Sequence, residues 1–427
     1  MKILLLGSGG REHAFAWKIK QSKLCSALFI APGNAGTIEL GENIDVGVLD
    51  FLSIKKVCVE KEIDMVIVGP EDPLVAGIYD FFKDDLQLQK IMVIGPSKAA
   101  AQLEGSKAFS KIFMERNHIP TATYRAFTTA NYEEGVDFLK DHSVPIVLKA
   151  DGLAAGKGVV ICQTVTEAIN VFASMIKDKQ FGEAGSRVVV EQFLDGIEIS
   201  VFVMTDSKDY KIIGHAKDYK RIGEGDTGPN TGGMGCVSPV PFADQIFMQK
   251  VIDRIIEPTI NGFKKEQLDY KGFVFFGLIK VDNEPYVIEY NCRLGDPETE
   301  VVLPLLKNDI VALCKSLYNG SLHEQIIETD NRSCATVVAV SGGYPGDYQK
   351  GFTINGLTDT ILSSESMIYH SGTKLENENI VTNGGRVLAV TSFGNTISDA
   401  VSKSLQTLTN IHFEEMNYRK DIGYEFE

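Results

Sequence analysis

The sequence predicts an α/β and α+β protein of several domains, with a doubly wound parallel sheet first and smaller mixed lobes after it. Three observations predict this. Short apolar runs near the N-terminus, each ending at Gly or Pro, alternate with helical stretches. A glycine- and lysine-bearing turn follows a buried strand in residues 147–159, VLKADGLAAGKGV. Two strands around 272–291 read as a hairpin that delivers Glu289 and Asn291, two apart and so on one face. The 427 residues exceed one ordinary core and suggest roughly two to four domains.

In the first unit, residues 1–103, strands are expected at Lys2–Leu6, Ala27–Ile30, Met65–Val68 and Met92–Ile94, with a helix from the Gly7–His13 turn to about Ile19. Ligands of such sheets sit beyond the carboxyl ends of the strands. Residues 104–122 read as a linking region, helical to about Asn117. Residues 123–193 form a compact lobe: strand Thr123–Phe127, helix Asn131–Lys140, strand Ile146–Ala150, then strand Arg187–Glu191. Residues 194–328 carry the hairpin and the run Gly223–Gly235, whose glycines argue against regular structure. In residues 329–427, strands Ala335–Val340 and Arg386–Thr391 and a helix Ile397–Thr409 are expected.

Composition narrows the function. A net charge of −15 disfavours nucleic acid or an anionic membrane as partner, although a local cluster of Lys and Arg still binds anions. Seven cysteines without a CxxC read as reduced thiols, and no apolar run reaches the length of a membrane span. A cytoplasmic monomer acting on small molecules is expected.

The turn Gly7-Ser-Gly-Gly-Arg-Glu-His13 has Glu12 where a dinucleotide fingerprint needs Gly or Ala, and Phe29–Gly33 offers no acid for a ribose. A nicotinamide-dependent oxidoreductase is therefore disfavoured. Glu71 and Asp72, at another strand end, are either acceptors for sugar hydroxyls or first-turn acids of the helix expected near Leu74. Lys149 and the 152–158 loop suit a polyphosphate: glycines let the backbone approach, and ammonium groups offset charge. Alone, AAGKG is equally a tight loop with a solvated lysine. Glu191 and Glu198 flank a hinge suited to an adenine edge and ribose, or are exposed acids around a turn. Glu289, Asn291 and Arg293 alternate, as oxygen ligands for Mg²⁺ with a carboxylate-binding arginine would, or as a solvated strand face would.

Together, Lys107, LKADGLAAGKGV, EQFLDGIE, DTGPNTGGMG and IEYNCRLGDPETE resemble the ATP-grasp ligases. GSGGREHA, PGNAGT, GPEDPLVAG and SGGYPGDYQKG extend the resemblance over nearly the whole chain, to the phosphoribosylamine–glycine ligase family. It implies an ATP-grasp fold with an N-terminal substrate domain (1–103), a linker (104–122), a lid (123–193), a central lobe (194–328) and a C-terminal domain (329–427). It also implies ATP-dependent joining of glycine to 5-phosphoribosylamine. Lys107, Lys149 and the loop Gly152, Ala155, Gly156, Lys157, Gly158 would hold phosphates; Glu191 to Leu194 would take adenine and Glu198 ribose. Glu289 and Asn291 would hold Mg²⁺ or Mn²⁺, and Arg293, with Lys149, would act at the reacting carboxylate. Gly9, Glu71, Asp72, Asn230, Gly232, Lys374 and Arg386 would contact substrate. One departure stands out: Gly277 occupies the position of a second metal-binding acid. Competing readings are a carboxylating relative and a nucleotide sensor without turnover.

Overall fold

A computed structural model describes residues 1–153, 158–357 and 365–426. Apolar, β-branched runs make the first strands. Lys2–Gly7, Ala27–Pro32, Met65–Val68 and Met92–Pro96 pair in parallel, with the helix Gly10–Lys20 following the first. This is the doubly wound unit expected.

The sheet does not stop there. Met92–Pro96 also pairs, antiparallel, with the start of the long strand Tyr270–Val281. Through it the sheet continues into Ile197–Thr205, Tyr210–Asp218, Gly235–Ser238, Ser333–Val340, Arg386–Gly394 and Ser366–His370. Among the described residues this is one sheet of 13 strands. Apolar contact is continuous as well: Ile3, Leu5, Phe202, Phe275, Cys334 and Phe393 share one core cluster.

Residues 124–192 stand apart. Tyr124–Thr128, Arg187–Gln192, Ile146–Ala150 and Val159–Cys162 form a four-stranded antiparallel sheet. Helices Tyr132–Lys140 and Val165–Ile176 pack on it around Phe127, Leu148, Phe172 and Val190.

One expectation needs correction. The Gly223–Gly235 run does contain regular structure: Arg221–Gly223 pairs with Thr227–Asn230, and Gly235 begins a buried strand. Gly225 and Asp226, both at positive φ (64° and 53°), supply the left-handed turn that such a ribbon needs. The later hairpin turns at Asp282-Asn283, also left-handed at 49° and 64°, so Glu284 and Pro285 belong to the returning strand Glu284–Asn291.

Candidate functional site

Tyr270–Val281 and Glu284–Asn291 bring Glu289 opposite Gly277. A Cβ on Gly277 would stand 3.1 Å from the Glu289 Cγ, so the missing second acid leaves room for the Glu289 side chain. Asn291 Nδ2 donates to Glu289 Oε1 at 3.3 Å, and Arg293 Nη2 donates to Asn291 Oδ1 at 3.3 Å. Arg293 lies in the bend after the strand, not in it. It is gripped by Glu71 (Nε–Oε2 3.1 Å) and Glu104 (Nη2–Oε1 3.0 Å). Glu71 is thus an ion-pair partner in the first turn of helix Glu71–Ala76, and Asp72 is exposed.

Three lysines face Glu289. Burial alone would raise its pKa, but Lys220, Lys149 and Lys107 outweigh that and hold it below the usual carboxylate range. Lys149 Nζ donates to the Ile288 carbonyl at 3.3 Å and pairs with Glu191 Oε2 at 2.9 Å. Lys111 reaches the same oxygen at 3.2 Å, and Glu191 Oε1 is buried without a partner. Lys107 Nζ donates to the Gly152 carbonyl at 2.9 Å. Desolvation lowers Lys107, and lowers Lys111 to about 8. Glu198 Oε2 pairs with Lys220 Nζ at 2.5 Å. Desolvation works against Lys220, yet Asp218 and Glu198 raise it well above the usual value. So Lys107, Lys149, Glu191, Glu198, Glu289, Asn291 and Arg293 converge on one cleft between the small sheet and the hairpin. Gly152 and Gly158 lie on its small-sheet side and Leu194 follows the last strand of that sheet; Ala155, Gly156 and Lys157 fall outside the described residues.

The donor set suits a hard divalent ion. A carboxylate and an amide stand side by side on one strand, the amide turning Nδ2 to Glu289 and Oδ1 to Arg293; Mg²⁺ is ordinarily held by one or two carboxylates together with phosphates and water. Ammonium groups around the same carboxylate suit an incoming polyphosphate.

A second site adjoins it. Three residues beyond Arg293, Asp296 lines a pocket of about 680 Å³ that also exposes Gly9, Asn34, Ser371, Lys374 and Arg386. Arg386 Nη2 pairs with Asp296 Oδ1 at 3.0 Å, and its Nη1 donates to the Gly232 and Asp296 carbonyls at 2.6 and 2.7 Å. Gly232 therefore borders this pocket, whereas Asn230 is exposed in the ribbon. Gly9 precedes the helix Gly10–Lys20, whose free N–H groups favour an anion. Glu12 turns back to accept from Gly9 N and from Arg11 Nε, each at 2.6 Å. A Cβ on Gly7 or Gly69 would strike that carboxylate. Glu12 thus fills the cradle a dinucleotide pyrophosphate would need.

Sequence reasoning missed Glu104, Lys111, Asp218, Lys220 and Asp296. Asp296 sat inside the quoted RLGDPET string; the others carry no motif and are recruited by the fold.

Family models described as "Phosphoribosylglycinamide synthetase" match nearly the whole chain: the N domain at residues 1–104, the ATP-grasp (A) domain at 105–299 and the C domain at 334–425. The chain is 45% identical over 428 residues to a phosphoribosylamine–glycine ligase of Escherichia coli (strain K12), covering 99% of this chain and 98% of that protein. It is 44% identical over 427 residues to the Vibrio cholerae ligase of the same name, with the same coverage. Among solved structures, the Thermotoga maritima phosphoribosylamine–glycine ligase superposes with a TM-score of 0.83 at 34% identity, covering 99% of this chain and all of that one.

Proposed function

The chain belongs to the phosphoribosylglycinamide synthetase family, and on that premise we infer that it joins glycine to 5-phospho-D-ribosylamine in purine biosynthesis. ATP is consumed, and glycinamide ribonucleotide, ADP and phosphate are formed through glycyl phosphate. The carrying observation is adjacency. The strand that presents Glu289 and Asn291 ends in a bend that carries Arg293 and leads directly to Asp296 in the neighbouring pocket, so an activated acid and an amine would meet within three residues.

In this reading ATP lies across the cleft, its phosphates drawing Lys107 and Lys149 from the Gly152 carbonyl and Glu191. The hinge Glu191–Leu194 takes the adenine and Glu198 the ribose. Glu289 and Asn291 would hold Mg²⁺ or Mn²⁺, which when bound neutralises phosphoryl charge. Arg293, fixed by Glu71 and Glu104, orients the glycine carboxylate for attack on the γ-phosphate. The phosphoribosylamine occupies the second pocket, its phosphate toward Lys374 and its amine toward Asp296. Charge neutralisation and positioning carry the rate. Seven free cysteines and no helix long and apolar enough to cross a membrane, both among the described residues, support a cytoplasmic setting.

A coupled ADP-release assay tests this. Release should require both glycine and phosphoribosylamine. Release with bicarbonate in place of glycine would move the assignment to a carboxylating relative, and ATP binding with no release under any combination would indicate a sensor.

A further inference from the structure

Beneath the second pocket two carboxyl groups meet without a donor between them. Glu300 is fully buried, and no side chain among the described residues donates to either of its oxygens. A Cβ on Gly10 would strike Glu300 Oε1 and come 2.7 Å from Ser371 Oγ, so Glu300 lies directly under the pocket floor that Gly9 and Ser371 line. Asp296 stands beside it: a Cβ on Gly9, next to Gly10, would come 2.9 Å from Asp296 Oδ2. Asp296 is also the single carboxylate among the described residues lining the pocket.

Two ionised carboxylates in contact repel and neither can donate; one shared proton removes both difficulties. Glu300 is the group that keeps it. Burial, and then the charge of Asp296, raise it well above the ordinary range, and Arg386 does not reverse this. Burial pushes Asp296 the same way, but Arg386 and Arg11 outweigh it and lower its pKa. The surroundings agree: Arg386 Nη2 lies 3.0 Å from Asp296 Oδ1, Arg11 N donates to Oδ2 at 3.4 Å, and Tyr369 and Cys236 face Glu300 as neutral groups.

We propose that Asp296 accepts the proton released when the substrate amine attacks, and that Glu300, holding one proton against Asp296, is the positioning residue for that carboxylate. This rests on the ligase reading above. In the step, the amine nitrogen forms a bond to the acyl carbon of glycyl phosphate. The carbon–oxygen bond to phosphate breaks and its electron pair leaves with the phosphate. The surplus proton on nitrogen passes to Asp296 and then to solvent as product departs. A weakly basic carboxylate suffices, because nitrogen in the adduct is far more acidic than in a free ammonium ion. Glu300–H in turn keeps the pair at a single negative charge, so Asp296 stays aimed at Arg386 and the pocket.

Asp296→Asn keeps the acceptor for Arg11 N and removes the base. Amide formation should then fall about 100-fold or more in kcat, with KM for phosphoribosylamine within a few-fold of wild type. A raised KM with unchanged kcat, or a kcat within threefold of wild type, would overturn the proposal. Glu300→Ala should lower kcat about tenfold and Glu300→Gln, which copies a protonated carboxyl, should restore most of it. If Gln is as damaging as Ala, Glu300 works as an anion and the shared proton is wrong. An infrared difference spectrum at pH 7, wild type minus Glu300→Gln, reads the proton independently of whether the Ala variant folds: the carbonyl band of one protonated carboxylic acid should be lost on substitution, over whatever Glu104 contributes to both. A difference spectrum without that band would sink the pairing. Failure of the ligase reading looks different, since wild-type ADP release would then not require both glycine and phosphoribosylamine.

Discussion

The small four-stranded sheet and the 13-stranded sheet are held together by opposite means. Within the large sheet, apolar cores run uninterrupted from the first strand to the last quarter of the chain. Between the two sheets the ties are polar: Lys149 to the Ile288 carbonyl, Lys107 to the Gly152 carbonyl, and Ser106 Oγ to Asp151 Oδ1 at 3.0 Å. The small sheet keeps a core of its own around Phe127 and Phe172. Apolar continuity joins the parts whose spacing the proposed reaction needs fixed, the strand of Glu289 and the pocket of Asp296. Exchangeable polar contacts lie where, in the proposed reading, a nucleotide would enter and replace them.

The sharpest way to break this contrast is at the strand itself. Glu289→Ala should reduce ADP release about a thousandfold or more, since it removes both the ionised oxygen donor and the balance for three lysines. The fold should survive, because Lys149 keeps Glu191, Lys220 keeps Glu198 and Lys107 keeps the Gly152 carbonyl; near-normal turnover would refute the metal assignment. Next is the small sheet's independence. Phe172 is fully buried against Phe127 and Tyr132, so Phe172→Ala should cost about 3–5 kcal/mol. Hydrogen exchange should quicken at Ile146–Ala150 and Arg187–Gln192 and stay unchanged at Ser333–Val340. Equal acceleration in both sheets would show one cooperative unit instead.

These regions also differed in how far the sequence disclosed them. Apolar runs ending at glycine or proline marked Lys2–Gly7, Ala27–Pro32, Met65–Val68 and Met92–Pro96 to within two residues, because burial on both faces leaves little freedom of residue type. The continuity of the sheet was invisible: it depends on two residue pairs, Tyr270 with Pro96 and Lys271 with Gly95, which no periodicity reports. Glu289 and Asn291 were legible from strand alternation. Lys111, Lys220 and Glu104 were not, because each reaches its partner from another element, with nothing unusual at its own position. The Glu300–Asp296 contact is hidden for the same reason, although both residues stand in one quoted motif.

Glu104 sharpens the comparison from the fixed side. It accepts from Cys292 N at 2.6 Å and from Arg293, and burial, opposed by Arg293, raises its pKa to about 7. The unfolded value lies near 4.5, so between those values the native state binds more protons than the unfolded one. Its contribution is present below about 4.5 and is lost as pH rises through about 7. Glu104→Gln should therefore gain on wild type by an amount on the order of a few kcal/mol as pH rises across that window. Denaturant midpoints at pH 5 and pH 8 measure this, and parallel pH curves for the two proteins would contradict it.

The smallest effect belongs to the pocket rim. Lys374 lies on the strand Thr373–Glu376, half exposed, with Glu376 Oε1 at 3.0 Å from its Nζ. An exposed pair of that kind contributes at most about 1 kcal/mol, so the ammonium is readily surrendered to a stronger anion. A phosphate entering beside Gly9 offers one, with a charge-assisted contact typically worth about 1.5–3 kcal/mol. Lys374→Ala should raise KM for phosphoribosylamine about tenfold while KM for ATP and glycine stays put, because the rim and the nucleotide cleft share no contact through this side chain. An equal rise in KM for ATP would mean that the two sites are not separately built. Glu376→Ala should move KM for phosphoribosylamine slightly downward, since it frees the lysine without touching the pocket floor.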